Sequence, residues 1–295
     1  MNFNEFITNV SEAVTEKLNG EGSVSVKEVL KNNGVRLQGL MIRTTGRKAS
    51  PTVYLERFYD EYLGGKSVEE IAEAILAIYR ENIIHDDSLP DLFDAYQKAK
   101  KHLYLKAVNR DRNEELLADV PHMDFLDLAL IPYILIKEIG HGSASVVIHN
   151  EMVRYWELPE KQILADAMEN MIHHYGYRLT PMKEMLKDML PEEDAYQLKE
   201  CPNKMYVLLS PGMQYSAALI AVDSIMSRIA ERLHSDLIIL PSSIHELIVI
   251  PDDLHRSFNG LDELVKCVNE TSVSAEEVLS DHAYRYKRDV GYVTA

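Results

Sequence analysis

Asp236-Leu-Ile-Ile-Leu-Pro-Ser-Ser-Ile-His-Glu-Leu-Ile-Val-Ile-Pro251 is the stretch whose reading decides the fold. It holds two apolar runs, Leu237 to Leu240 and Ile244 to Ile250, broken by Pro241-Ser242-Ser243. Runs this short and this rich in branched side chains, bounded by Pro and Ser, suit buried strands better than helices. The segment therefore predicts a ribbon folded back on itself inside a helix-covered layer, with its polar bend at the rim. Ser242, Ser243, His245 and Glu246 fall in or beside that bend and form the densest polar cluster next to a predicted core. They are the first candidate site residues.

The elements around the ribbon follow from the same patterns. Before it, strand Met205 to Leu209, a Pro211-Gly212 turn and a helix from about Ser216 to His234 are expected, the helix striped by Ala218, Val222, Ile225, Met226, Ile229 and Leu233. After it, a last helix runs from Leu261 to Val268. Further upstream, Leu103 to Val108, Phe125 to Lys137 and Ser145 to His149 read as strands, the last two joined by a Gly140-His141-Gly142 loop. A helix follows from about Pro159 to His174, with Gly176 at its end, and a short one runs from Pro181 to Leu190, closed by Pro191. Six strands are thus expected after residue 100. Segments 124–176 and 204–269 each pair strands with a long helix and are read as possible duplicates, although their element orders differ.

The N-terminal part differs in character. Phe3, Phe6, Ile7, Val10, Val14 and Leu18 form one helical stripe ending at Gly20. Val24 to Leu30 and Val35 to Arg43 flank Asn32-Asn33-Gly34, and Asn-Gly between alternating runs signals a hairpin because both residues tolerate positive φ. Ser50-Pro51 reads as a cap and first turn of a helix through Tyr54, Leu55, Phe58, Tyr59 and Tyr62, stopping at Gly64-Gly65. Ser67-Val68-Glu69-Glu70 has capping-box spacing and opens another helix. Leu92 to Lys101 reads as one more. The expected fold class is α+β: a mixed, largely antiparallel sheet covered by amphipathic helices over 101–295, behind a hairpin-plus-helices region over 1–100.

Composition narrows the function classes. In 295 residues, 31 Lys+Arg stand against 47 Asp+Glu, and the net charge of −16 repels phosphate backbones, which argues against direct nucleic-acid binding. The basic clusters Arg43 to Lys48, Lys98 to Lys101 and Arg285 to Arg288 are short and lack the interleaved aromatics of an RNA platform. Cys201 and Cys267 have no zinc-ligand spacing and suit a reducing compartment. Met-Asn-Phe-Asn-Glu-Phe-Ile has no secretory pattern, and no window reaches membrane-span length. A cytoplasmic location is expected.

Several runs carry a resemblance. Val29-Leu30-Lys31-Asn32-Asn33-Gly34-Val35 and Pro51-Thr52-Val53-Tyr54-Leu55-Glu56-Arg57-Phe58-Tyr59 are two of them. Asp119-Val120-Pro121-His122-Met123-Asp124-Phe125-Leu126-Asp127-Leu128, Leu240 to Leu247, and Asn269-Glu270-Thr271 through Glu277-Val278-Leu279-Ser280-Asp281-His282 are the others. Together, and in this order, they resemble an uncharacterised family of bacterial proteins common in gut Firmicutes, the five-six-eight-eight domain of unknown function. The resemblance covers the whole chain. It implies an intracellular bacterial protein, supplies no reaction and assigns no catalytic residue. That some members accompany mobile genetic elements implies a role in host interaction.

The chemistry-bearing residues weigh towards structure. Ser242 or Ser243 with His245 and Glu246 could serve acyl transfer, but no Gly-x-Ser-x-Gly elbow exists and the same residues make an ordinary turn. His245-Glu246 lacks the second histidine of a zincin, since position 249 is Val. His85-Asp86-Asp87 is short of ligands for a metal centre, and His173-His174 complements a helix end. Gly140-His141-Gly142 lacks a phosphate loop's third glycine. Asp124 and Asp127, three apart at the start of an apolar strand, would lie on opposite faces, and a buried one needs a partner such as Arg110, Arg112 or Lys137. Tyr54, Tyr59 and Tyr62 share their stripe with Leu55 and Phe58, which favours packing over ligand stacking.

The expectation is a non-catalytic protein that binds a macromolecular, protein partner in regulation or host–element conflict. It has no cofactor and no metal, and its oligomeric state is open. One alternative is a hydrolase-like enzyme using Ser242, His245 and Glu246 with Asp124 or Asp127. Another is an acidic nucleic-acid mimic that inhibits a nucleic-acid enzyme.

Overall fold

A computed structural model describes residues 1–44, 50–82, 93–139, 142–189, 204–210, 214–252 and 259–293. His85, Asp86, Asp87, Gly140, His141, Pro191, Cys201, Pro211 and Gly212, with Thr45 to Lys48, lie outside the described residues. The architecture is α+β with antiparallel sheets. The chain divides into two compact units, Met1–Ala95 and Tyr96–Ala295.

In the first unit, α1 (Phe3–Lys17) starts at a capping box: Asn2 Oδ1 accepts the Glu5 N–H at 3.0 Å, and Glu5 Oε2 accepts the Asn2 N–H at 2.9 Å. Strands β1 (Gly22–Leu30) and β2 (Arg36–Thr44) pair antiparallel from Leu30↔Arg36 to Gly22↔Thr44. Their turn places Asn33 at φ 59° and Gly34 at φ 70°, the left-handed conformations the Asn-Gly pair tolerates.

The helix expected from Pro51 begins later. Residues Thr52–Tyr54 form β3, which pairs with β2 through Leu40↔Val53, and α2 (Glu56–Leu63) follows. Alternation around the buried Val53 outweighs the Ser-Pro start signal, and the Ser50 hydroxyl donates to the Pro51 carbonyl instead of capping a helix. Helix α3 (Val68–Glu81) has its capping box at Ser67 and Glu70. Phe6, Val10, Leu40, Ile42, Phe58 and Ile75 fill the core between helices and sheet. Tyr59 and Tyr62 pack on Phe6 with ring centres 5.3 and 5.5 Å away, whereas Tyr54 receives the Lys31 ammonium at 4.4 Å.

The second unit has two sheets. The first contains β4 (Leu103–Asn109), β5 (Met123–Phe125), β6 (Leu128–Ile139) and β7 (Gly142–Val147), in the order β4-β6-β5 with β7 also on β6. The second contains β8 (Arg178–Pro181), β9 (Tyr206–Leu209), β10 (Leu237–Pro241), β11 (Leu247–Pro251), β12 (Tyr284–Lys287) and β13 (Gly291–Val293), in the order β13-β12-β10-β11-β9-β8. The ribbon is present: β10 and β11 pair antiparallel from Leu237↔Pro251 to Pro241↔Leu247, and β10 is buried along its length. Strands of 124–176 belong to the first sheet and those of 204–269 to the second.

Four short strands were not apparent in the sequence pattern: β5, β8, β12 and β13. In β12, Tyr284 and Tyr286 point inward while Arg285 and Lys287 are half-buried, an alternation hidden inside a basic cluster. Likewise Leu126 adopts φ 57° and reverses the chain, so the run expected as one strand is a hairpin, with Phe125 opposite Leu128.

Helices cover these sheets. They are α4 (Tyr96–Ala99), α5 (Glu114–Leu117), α6 (Asn150–Tyr155), α7 (Glu160–His173), α8 (Met182–Met189), α9 (Asp223–Leu233) and α10 (Asn259–Ser272). The helix expected from Ser216 is a 3-10 segment to Ala221 that breaks at Val222 before α9. Ser216 to Ile220 are buried all round rather than striped, and the Ser216 hydroxyl accepts the Ser210 N–H at 2.8 Å. Asp166 of α7 is buried. Desolvation pushes its carboxyl up, but hydrogen bonds from Tyr96, Lys100 and Gln162 at 2.6, 2.9 and 2.9 Å outweigh this and hold it below the usual range.

Ser67→Ala removes a cap and should destabilise the first unit by about 1 kcal/mol in chemical denaturation. The Glu70 carboxyl is lowered by its backbone and side-chain hydrogen bonds with Ser67, a contribution present above the unfolded carboxylate pKa and lost as pH falls. The difference between wild type and Ser67→Ala should therefore shrink in acid.

Candidate functional site

The register of β10 and β11 leaves 242–246 as the connecting bend. Ser243 shapes its own turn: its hydroxyl accepts the His245 N–H at 3.0 Å and its N–H donates to the Glu246 carbonyl at 3.4 Å. The Ser242 hydroxyl donates to Glu246 Oε1 at 3.2 Å. Ile244 was expected to begin the second strand. It is instead the buried anchor of the bend, donating its N–H to the Glu277 carbonyl at 2.9 Å.

His245 is held from both sides. Its Nδ1 accepts the Tyr215 N–H at 3.4 Å, its ring stacks on Tyr215 with centres 5.4 Å apart, and its Nε2 lies 3.5 Å from Glu277 Oε1. With Nδ1 accepting, the neutral imidazole carries its proton on Nε2, facing the carboxylate. Burial pushes the His245 pKa below its ordinary value, opposed by the charges of Glu277 and Glu246 and reinforced by Lys106. Lys106 projects from β4 to place its ammonium 5.0 Å from the Tyr215 ring centre. Thus Ser242 meets Glu246 and His245 meets Glu277. Among the described residues, no serine hydroxyl is paired with the imidazole.

Asp124 and Asp127 are not two faces of one strand, because the chain turns between them. Asp124 is exposed on β5. Asp127 is partly buried and takes hydroxyls rather than a cation: Ser280 Oγ donates to Oδ2 at 2.6 Å, and Tyr284 OH donates to Oδ1 at 2.7 Å. Of the expected partners, Arg110 reaches the Leu126 carbonyl and the Asp111 carboxylate, each at 3.4 Å, and Arg112 pairs with Asp281 at 2.5 Å. Burial, then the negative charge of Asp127, pushes the Tyr284 hydroxyl well above its ordinary pKa, so it stays a donor.

One segment, 277–284, therefore joins the bend to the hairpin. Glu277 holds Ile244 and His245, and Ser280 and Tyr284 hold Asp127. Asn269 of α10 fixes its middle, donating to the Ser280 carbonyl at 3.0 Å and to Asp281 Oδ1 at 2.8 Å. The Ala283 N–H donates to Asp262 Oδ1 at 2.7 Å. Sequence reading assigned no role to Glu277, Ser280, Tyr284, Tyr215 or Lys106. A lysine inside the apolar run Leu103 to Val108 and a Ser-Asp-His run before alternating tyrosines were the signals available. Among the described residues, no group of three or more His, Cys, Asp and Glu could hold a metal, and no helix is long and apolar enough to cross a membrane.

The lowered His245 pKa has a measurable consequence. The unfolded chain takes up this proton near the ordinary histidine value of 6.5 and the folded chain only at lower pH, so stability falls as pH drops below 6.5. His245→Gln should flatten that part of the stability–pH curve relative to wild type, as read by urea denaturation from pH 5 to 8. An unchanged slope would contradict the placement of this side chain.

No curated protein and no solved structure matched the chain. One family model, described as a family of unknown function, DUF5688, matches residues 3–288. That span covers most of each unit and includes the bend, the hairpin and the segment that joins them, ending before β13. The chain belongs to the family of unknown function DUF5688.

Proposed function

We propose that the protein works by binding a macromolecular partner, most simply another protein, rather than by catalysis. The observation that carries this reading is the use already made of the candidate polar groups. The Ser243 hydroxyl and both His245 nitrogens are engaged in holding the bend, and Asp127 in holding the segment 277–284. A general base needs a free lone pair aimed at its nucleophile. Here the Nδ1 lone pair of His245 faces the Tyr215 N–H, and Nε2 faces a carboxylate.

The surface supports binding more than nucleic-acid recognition. A net charge of −16 favours a partner with a basic surface and disfavours a phosphate backbone. The acidic-mimic alternative calls for carboxylates left facing solvent in file. Asp127, Asp166 and Asp252 are instead used inside the fold, Asp252 beside Arg285 at 2.9 Å. A setting in a bacterial cytosol, in regulation or in conflict between a mobile element and its host, follows the family resemblance.

Affinity capture with the full chain from native bacterial cytosol, followed by mass spectrometry of bound proteins and small molecules, tests the reading. A stoichiometric protein partner, captured equally well by Ser242→Ala, is the expected result. A co-purifying metal or metabolite, or hydrolysis of a simple ester that Ser242→Ala abolishes, would overturn it.

A further inference from the structure

The bend 242–246 is gripped on two sides. On one, the Glu277 carbonyl accepts the Ile244 N–H at 2.9 Å, and the Glu277 carboxylate lies 3.5 Å from His245 Nε2. On the other stands the start of the 3-10 segment. Its Tyr215 N–H donates to His245 Nδ1 and its Ala217 N–H to the Ile244 carbonyl, each at 3.4 Å. The two grips respond to a proton in opposite ways. A second proton on the ring turns Nδ1 from acceptor into donor. Nδ1–H then faces the Tyr215 N–H, donor against donor, while Nε2–H becomes a charge-assisted partner of the Glu277 carboxylate.

The 3-10 side is the easier one to release. Tyr215 adopts φ 64° and ψ 31°, a left-handed conformation that is strained for a bulky side chain and persists only while its surroundings hold it. Both of its bonds to the bend are at the long end of hydrogen-bonding distance. The residue before it is fixed separately, because the Gln214 carbonyl accepts the Tyr133 hydroxyl at 3.4 Å and that of Tyr175.

The charges around the ring, among the described residues, favour the same direction of release. Glu277 from the segment 277–284 and Glu246 from the bend attract an imidazolium. Lys106 from β4, whose ammonium lies 5.0 Å from the centre of the Tyr215 ring that His245 stacks on, repels it. With 35% of its side chain exposed, the imidazole can take a proton from solvent. We propose that His245 is an acid-sensitive latch: neutral, its Nδ1 holds the 3-10 segment on the bend, and protonated, it releases residues 215–221 while the bend stays attached to Glu277. Burial makes the latched ring harder to protonate than the released one, so acid favours release. From the ordinary histidine value of 6.5 downwards, the release constant should rise by up to about tenfold per pH unit.

Residue-resolved amide hydrogen exchange on the full chain, stepped from pH 8 to 5 and corrected for the intrinsic chemical rate, reads that constant. The Tyr215 and Ala217 amides should lose protection as pH falls below 6.5, while the amides of the β10–β11 ladder keep theirs. Glu277→Gln retains the backbone bond to Ile244 but removes the carboxylate that favours the imidazolium, so release should begin at lower pH. In His245→Gln the pH dependence should vanish; wild type and Glu277→Gln decide the matter even if that variant does not fold. Protection at 215 and 217 that ignores pH in the wild type would overturn the proposal. So would an onset unchanged or raised in Glu277→Gln, a wild-type profile in His245→Gln, or loss of protection in step with the β10–β11 ladder, which is global unfolding.

Discussion

The second unit contains two sheets that share no strand among the described residues, and the Asp127 carboxylate is a polar contact that ties one to the other, alongside the Arg112–Asp281 ion pair. Asp127 stands in the turn that opens β6, and Tyr284 opens β12 of the second sheet. Taking a carboxylate partly out of water costs free energy unless good donors replace the water, and here two hydroxyls at 2.6 and 2.7 Å do so. Apolar contact reinforces the join: Phe125 of the hairpin meets Tyr292 of β13 edge-on, with ring centres 5.3 Å apart. The bend between β10 and β11 depends on the same connection, since Ile244 and His245 are held by Glu277, three residues before Ser280.

This dependence changes what the polar residues signify. Ser, His, Glu and Asp near one another look like chemistry when read along the chain. In space they are paired in a different order, Ser242 with Glu246, His245 with Glu277 and Asp127 with Ser280 and Tyr284. Each pair closes a turn or a strand end. A buried polar network of this kind specifies one arrangement of its elements, and breaking one member exposes the rest. The reading as a binding protein rests on that reassignment.

How much was legible in the sequence divides along local and non-local lines. The Asn33-Gly34 hairpin, the Ser67 capping box and the 237–251 ribbon were readable because their causes lie within a few residues. The start of α2 was misplaced because β3 exists only through its pairing with β2. The break at Val222 was missed because the stripe of Ala218 and Ile225 continues across it, while burial of Ser216 to Ile220 on all sides cannot be seen in periodicity. At the candidate site, the cluster 242–246 was visible but its partners were not. Glu277 lies 32 residues beyond His245, and Ser280 lies 153 beyond Asp127. Nothing in local pattern specifies contacts at that separation.

The most direct test is a double-mutant cycle on Asp127→Ala and Tyr284→Phe, read as unfolding free energy in urea. If the carboxylate and the phenol join the two sheets, the double variant should lose less than the sum of the single losses, by about 1 kcal/mol or more. Losses that add to within about 0.5 kcal/mol would mean the two side chains act independently, and would contradict the account.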